Sequence, residues 1–262
     1  MIELLPALCS VTFRKLAPDA VIRLAAEAGL AAIEWGGDVH VPPGDLAHAR
    51  SVRELTEGAG LSPASYGSYI RPPQDGLDSF QRVLETADAL GASNIRIWAG
   101  PTVRASHDYT AEERTAVARL IRGMAEQAAA AGLAVSLEYH RGTLTDDLAS
   151  ARALLAEARH PALFTYWQPR PGLPLQTALE EIDALSPDIS HVHVFAWDQE
   201  AKRYPLSDHA PYWQRAFAAL GASRWQGPRY AMLEFVADDS PERFRSDAAE
   251  LLGLVARSSA PA

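Results

Sequence analysis

The sequence predicts a closed (β/α)8 TIM barrel, a single α/β domain over residues 1–262. Three observations carry this: the length, eight β-rich runs alternating with longer alanine-rich amphipathic stretches, and no glycine-rich phosphate turn after the first strand. One closed barrel takes about 250 residues. Short apolar runs bounded by turn residues read as strands, and the longer stretches carry the helical period. The predicted strands are residues 7–12, 31–35, 62–67, 94–99, 134–139, 162–167, 191–195 and 230–235. An open doubly wound sheet is the alternative for eight βα units, but that fold carries a dinucleotide fingerprint at its first turn. Trp35-Gly-Gly-Asp has neither the spacing nor the helix start of one.

Helix punctuation agrees with the strand count. Stretches 17–29, 79–91 and 111–132 each end in glycine, where a left-handed C-terminal cap is wanted. Asp-Tyr-Thr before Ala111-Glu-Glu, and Asp239-Ser-Pro-Glu before Arg243, place capping oxygens and acidic residues at helix starts, matched to the helix dipole. No linker or low-complexity segment interrupts the chain, and residues 258–262 read as a loose tail.

Composition narrows the function. Hydrophobic residues make up 48% and charged residues 22%, enough apolar surface for a full core. A net charge of -9 argues against general nucleic-acid or anionic-membrane binding, which needs clustered Lys and Arg. The one cysteine, Cys9, excludes an internal disulfide and a multi-thiolate metal site, and fits a reducing cytoplasm. Neither a secretory leader nor a membrane span is expected from the apolar runs. The expected partner is a small carbohydrate; the oligomeric state is left open.

In a barrel, chemistry collects at the C-terminal ends of the strands. Strand five ends Ser-Leu-Glu138-Tyr-His140-Arg141-Gly, strand six ends Thr-Tyr166-Trp167-Gln168-Pro, strand seven reads His191-Val-His193-Val-Phe and strand eight Met-Leu-Glu234-Phe-Val. Each of these four successive runs finishes in an oxygen or nitrogen donor. Barrel closure would bring two carboxylates, an amide oxygen and an imidazole to one rim, a mostly oxygen set of charge about minus two that suits a divalent cation. Without the ion the carboxylates repel and at least one pKa should rise.

At these residues the chain resembles the xylose isomerase-like barrel superfamily of sugar isomerases, epimerases and inosose dehydratases. The resemblance rests on Ile33-Glu-Trp-Gly-Gly-Asp-Val-His40, Leu137-Glu-Tyr-His-Arg-Gly-Thr143, His191-Val-His-Val and Leu233-Glu-Phe. It implies one divalent metal, Mn2+, Mg2+, Co2+ or Zn2+, held by Glu138, Gln168, His193 and Glu234. Gln168 stands where the family usually has Asp, so the site loses a charge. Too few His and Asp ligands are present for the multi-zinc nucleases of the superfamily.

The implied activity is isomerisation or epimerisation of a sugar or sugar phosphate. A proton is removed beside a carbonyl, giving an enediolate, with Glu138 and Glu234 as paired acid and base. Dehydration of a cyclic keto-polyol and a non-catalytic carbohydrate-binding barrel are the alternatives. Trp35, Trp98, Trp167 and Trp197 lie at or just after strand ends, where ring faces pack on sugar C–H groups. Arg141 is a candidate for holding a carboxylate or phosphate or for a rim salt bridge; His40 and His140 are candidates for hydroxyl contacts. Asp198, Lys202 and Tyr204 in the loop after strand seven, and Tyr66 and Tyr69 after strand three, are secondary candidates.

Overall fold

A computed structural model describes residues 4–259. The elements alternate along the chain as β1 (Leu4–Cys9), α1 (Pro18–Glu27), β2 (Ala32–Gly36), α2 (Leu46–Gly58), β3 (Ser62–Gly67), α3 (Leu77–Leu90), β4 (Asn94–Ile97) and α4 (Ala111–Ala130). They continue as β5 (Ala134–Leu137), α5 (Leu148–Glu157), β6 (Leu163–Trp167), α6 (Leu175–Leu185), β7 (Ile189–Val194), α7 (Ala210–Ala219), β8 (Arg229–Leu233) and α8 (Pro241–Ser259). All eight strands pair in parallel in sequence order, and β8 returns to β1, closing the barrel. Closure removes every sheet edge and leaves the open-sheet alternative without support.

The expected caps form for the expected reasons. Gly29, Gly91 and Gly132 sit at φ +74, +77 and +76, the left-handed geometry that ends α1, α3 and α4 at little steric cost. Thr110 and Glu113 make a reciprocal capping box at the start of α4. At α8 the Ser240 hydroxyl, rather than Asp239, accepts from the Glu242 backbone N–H at 3.2 Å.

Several boundaries shift. β1 runs Leu4–Cys9, not 7–12, because its pairing with β8 begins at Leu4 and residues 10–13 tighten into a 3-10 turn. β4, β5 and β8 end at Ile97, Leu137 and Leu233, two residues short of expectation. Trp98, Glu138 and Glu234 therefore stand just beyond the ladder, where chain direction changes and side chains turn toward the mouth. Residues 258 and 259 complete α8 rather than beginning a tail, and 260–262 lie outside the described residues.

Two apolar layers position the site. Strand residues such as Ile33, Trp35, Ile95, Leu137, Trp167, Val192 and Leu233 point outward into one continuous core under the helices. Inward positions carry a smaller set, Ala7, Ala32, Ala64, Tyr166, Tyr230 and Met232, which plugs the lower barrel. Because side chains alternate along a strand, one outward-facing large residue implies inward-facing neighbours on either side. Above the plug those inward neighbours are polar, and they make the site. Among the described residues no helix is long and apolar enough to cross a membrane.

Candidate active site

Inward positions of β2, β4, β6 and β7, with the first residues beyond β5 and β6, place Glu34, Arg96, Tyr166, His193, Glu138 and Gln168 in one buried network. Glu34, with no solvent exposure, accepts from the Ser65 hydroxyl at 2.7 Å, the Tyr166 hydroxyl at 2.9 Å and the Cys9 thiol at 3.3 Å. The Arg96 Nε lies 3.4 Å from Glu34 Oε1. From the same guanidinium, Nη1 donates to Glu138 Oε2, as does the Trp98 indole N–H. Gln168 Nε2 donates to Glu138 Oε1 at 3.1 Å. Every carboxylate oxygen here has a donor, which is what a charge held away from water requires.

His193 lies between two groups of oxygens. Its Nε2 is 3.2 Å from Glu34 Oε1, and its Nδ1 is 2.8 Å from Gln168 Oε1 and 3.5 Å from Glu234 Oε2. Ligand atoms of Glu138, His193 and Glu234 all lie within 4.8 Å of one another. Gln168 Oε1 points into the same cluster. Two carboxylates, an imidazole nitrogen and an amide oxygen thus fit one divalent cation, with Glu34 on the far imidazole nitrogen in the position that fixes the tautomer of a metal-bound histidine. Cys9, Glu34 and His193 form a second group of the same reach, but its carboxylate is already taken up by Arg96, Ser65 and Tyr166.

The electrostatics divide the carboxylates. Burial works against charge at Glu34, but Arg96 and then His193 overrule it and hold this carboxyl well below its ordinary range. Glu138 shifts down too: burial opposes the charge, and Arg96, His140 and His193 outweigh it. Glu234 shifts the other way, raised by burial, with the repulsion of Glu138 adding to it against the pull of His193. For His193, burial disfavours the imidazolium, yet Glu234 and Glu34 push its pKa up to about 9. Two carboxyl groups driven apart in pKa at one site can divide their roles, one staying ionised and the other carrying a proton.

Above this cluster lies a pocket of about 240 Å³ lined in part by Trp98, Glu138, His140, Arg141, Gln168, Trp197 and Glu234. His193 sits beneath it with no solvent exposure. Trp197 stacks on Phe195 at 4.3 Å, and Trp98 lies 5.5 Å from His140, so aromatic faces form much of the wall.

Three expected pocket residues are elsewhere. Trp35 and Trp167 face outward into the helix layer, since Glu34 and Tyr166 take the inward positions beside them. Trp167 packs on Trp213 and donates to Glu181 at 3.2 Å. His40 is a buried brace, bonded to the Ser10 hydroxyl at 3.0 Å and the Leu16 carbonyl at 3.1 Å. Of the secondary candidates, Tyr69 lines the pocket, whereas Tyr66 is buried and donates to the Val41 carbonyl at 2.6 Å. Asp198 accepts from the Lys202 backbone N–H and the Tyr204 hydroxyl, both at 2.9 Å, and closes its own loop.

Sequence reasoning missed Glu34 and Arg96 as site residues. Their signal is a lone charge inside an apolar strand, as in Ala-Ile-Glu34-Trp and Asn-Ile-Arg96-Ile. Such a charge points into the barrel and needs a partner there.

Gly67 makes room for that pair. A Cβ at this position would lie 2.8 Å from Arg96 Nη2 and 3.1 Å from Glu34 Oε1, and both side chains are pinned by the network. Gly67→Ala is expected to lower stability by about 1–3 kcal/mol, as overpacking of a filled core does. Urea unfolding checks it: an unchanged midpoint would mean that the network yields freely.

The family model described as xylose isomerase-like TIM barrel matches residues 22–253. No curated protein matches the chain. Among solved structures, a probable 3-DHS dehydratase, AsbF, of Bacillus anthracis is 19% identical with a TM-score of 0.70, over 96% of this chain and 99% of that one. A xylose isomerase-like TIM barrel protein of Mycobacterium smegmatis in complex with magnesium is 14% identical, TM-score 0.71, over 98% of each chain. An L-ribulose 3-epimerase is 14% identical, TM-score 0.70, over 97% of this chain and 94% of that one. At these identities the likeness is one of fold.

Proposed function

Because this chain belongs to the xylose isomerase-like TIM barrel family, we propose that it is a metal-dependent isomerase or epimerase of a small polyhydroxy carbonyl compound, removing a proton beside the carbonyl by way of an enediolate. The observation that carries the reading is the cluster of donor atoms at the pocket floor, where Glu138, His193 and Glu234 lie within 4.8 Å of one another and Gln168 Oε1 lies 2.8 Å from His193 Nδ1.

A divalent cation, Mn2+, Mg2+, Co2+ or Zn2+, held by Glu138, Gln168, His193 and Glu234 supplies fixed positive charge where substrate oxygens become anionic. Glu138, tied to Arg96 and Trp98, stays ionised and keeps its orientation. Glu34 faces Nε2 of His193, which leaves Nδ1 turned toward the cluster. Glu234, at the pocket floor 3.5 Å from His193 Nδ1, takes the substrate proton and returns it. Trp98 and Trp197 offer apolar faces to the carbon skeleton and reduce the water around the reacting carbon.

A second reading, dehydration of a cyclic keto-polyol, is favoured by the likeness to the probable 3-DHS dehydratase and starts with the same proton abstraction. One experiment tests both. Protein loaded with each of the four metals is incubated in heavy water with a panel of ketoses, their phosphates and cyclic keto-polyols, and products are weighed by mass spectrometry. Deuterium uptake without other mass change is the expected result, abolished by chelator and restored by metal; loss of water selects dehydration. No exchange with any compound under any metal would return the molecule to the class of non-catalytic binding barrels.

A further inference from the structure

Arginines outnumber glutamates along the pocket lining. The whole chain has 33 acidic and 24 basic residues. The pocket lining has four arginines, Arg14, Arg96, Arg141 and Arg170, and two glutamates, Glu138 and Glu234. Both glutamates belong to the donor cluster at the floor, and Arg96 is tied down among them. The other three guanidinium groups belong to the wall.

Two of those three already have anionic partners. Arg14 pairs with Asp38 and donates to the Tyr69 hydroxyl at 2.6 Å, and Arg170 lies 3.4 Å from the buried Glu181. Arg141 differs: among the described residues its side chain makes no hydrogen bond or ion pair, though a guanidinium carries five N–H donors in a planar fork. Its neighbour His140 uses Nδ1 on the Arg141 carbonyl at 2.7 Å, which ties down the loop backbone and leaves the guanidinium free. Nearby, the Arg71 guanidinium carbon sits 4.3 Å from the Trp98 ring centroid, and its Nε is buried without a hydrogen-bond partner. This adds positive charge behind one aromatic wall. A neutral polyol would leave the Arg141 guanidinium without an anionic partner.

We propose that the substrate carries an anionic substituent, a carboxylate or a phosphate, and that Arg141 holds it at the pocket wall while the carbonyl end lies at the floor. The proposal rests on reading this pocket as the substrate site. A planar fork meets either anion with two parallel hydrogen bonds, the geometry in which arginine discriminates best. Arg14, after β1, and Arg170, after β6, line other parts of the pocket and keep their own partners.

Binding of matched pairs tests this without requiring turnover. Calorimetry on the metal-loaded protein compares 3-dehydroshikimate with its carboxamide, and ribulose 5-phosphate with ribulose. In at least one pair the charged member is expected to bind about 10- to 100-fold more tightly, as a charge-assisted hydrogen bond does. Preference in one pair alone identifies which anion the wall accepts. Arg141→Met is expected to bring that ratio close to unity by weakening the charged member, and Arg141→Lys to keep part of it. Arg141 is exposed and free of side-chain bonds, so both variants should melt like the parent protein. Equal binding within both pairs, binding by no charged member, or a ratio indifferent to Arg141→Met would each overturn the proposal. Charge preference without any deuterium exchange would instead count against the proton-abstraction reading and leave the anion site standing.

Discussion

Glu234→Gln is expected to lower kcat by about 10²–10⁴-fold, the range that a positioned acid or base contributes. The substitution preserves size and hydrogen bonding but removes the proton acceptor. Glu234 is nearly covered, its side chain 12% exposed, 3.5 Å from His193 Nδ1. Burial and the Glu138 charge raise its pKa, so it costs less to protonate than the other site carboxylates. Its loss should fall on kcat more than on KM, because a base acts on the transition state and not on ground-state binding. Steady-state kinetics on whichever compound exchanges deuterium make the measurement, with metal content by mass spectrometry beside it. Glu138→Gln should lower metal content as well, since Glu138 is the carboxylate kept ionised. If Glu234→Gln keeps near-parental kcat, another group carries the proton.

Arg96→Met should be the most damaging single change to stability among the site residues. Arg96 is about 3% exposed and bridges Glu34 and Glu138, so removing it leaves two carboxylates in the barrel without their common cation. Breaking a buried pair in this way costs about 3–5 kcal/mol. For a chain of this size that is a fall in melting temperature of roughly 6–20 °C. The measurement belongs in chelated protein, where no metal can stand in for the lost charge. Glu34→Gln combined with Arg96→Met removes one stranded carboxylate and should recover part of the loss. A single variant as stable as the parent would show that the network contributes orientation without stability.

How much of the molecule could be read in advance differs by level. Strand and helix order follows from local periodicity and from glycines with one preferred role, such as Gly91 at the end of α3, so these were legible. Strand ends were less so: β4, β5 and β8 stop early because ladder pairing, not composition, decides where extension ends. Glu138, Gln168, His193 and Glu234 stood out since a polar donor after an apolar run is visible in one dimension. Trp35 and Trp167 stood out equally and face the other way, because the phase of alternation depends on which neighbour the barrel turns inward.

The linear sequence therefore determined the repeat of eight βα units, the helix caps and the residue types available at the late strand ends, all of which depend on interactions within a few residues. Only tertiary structure decided that Arg96 of β4 would lie between Glu34 of β2 and Glu138 beyond β5, and that Glu234 would approach His193. Partners 42 and 62 positions apart in the chain meet through pairing of neighbouring strands, His193 and Glu34, 159 apart, only through closure of the barrel, and a pKa is set by what surrounds a group in space. That is why the carboxyls of Glu138 and Glu234, neighbours at the mouth, are shifted in opposite directions by what surrounds them.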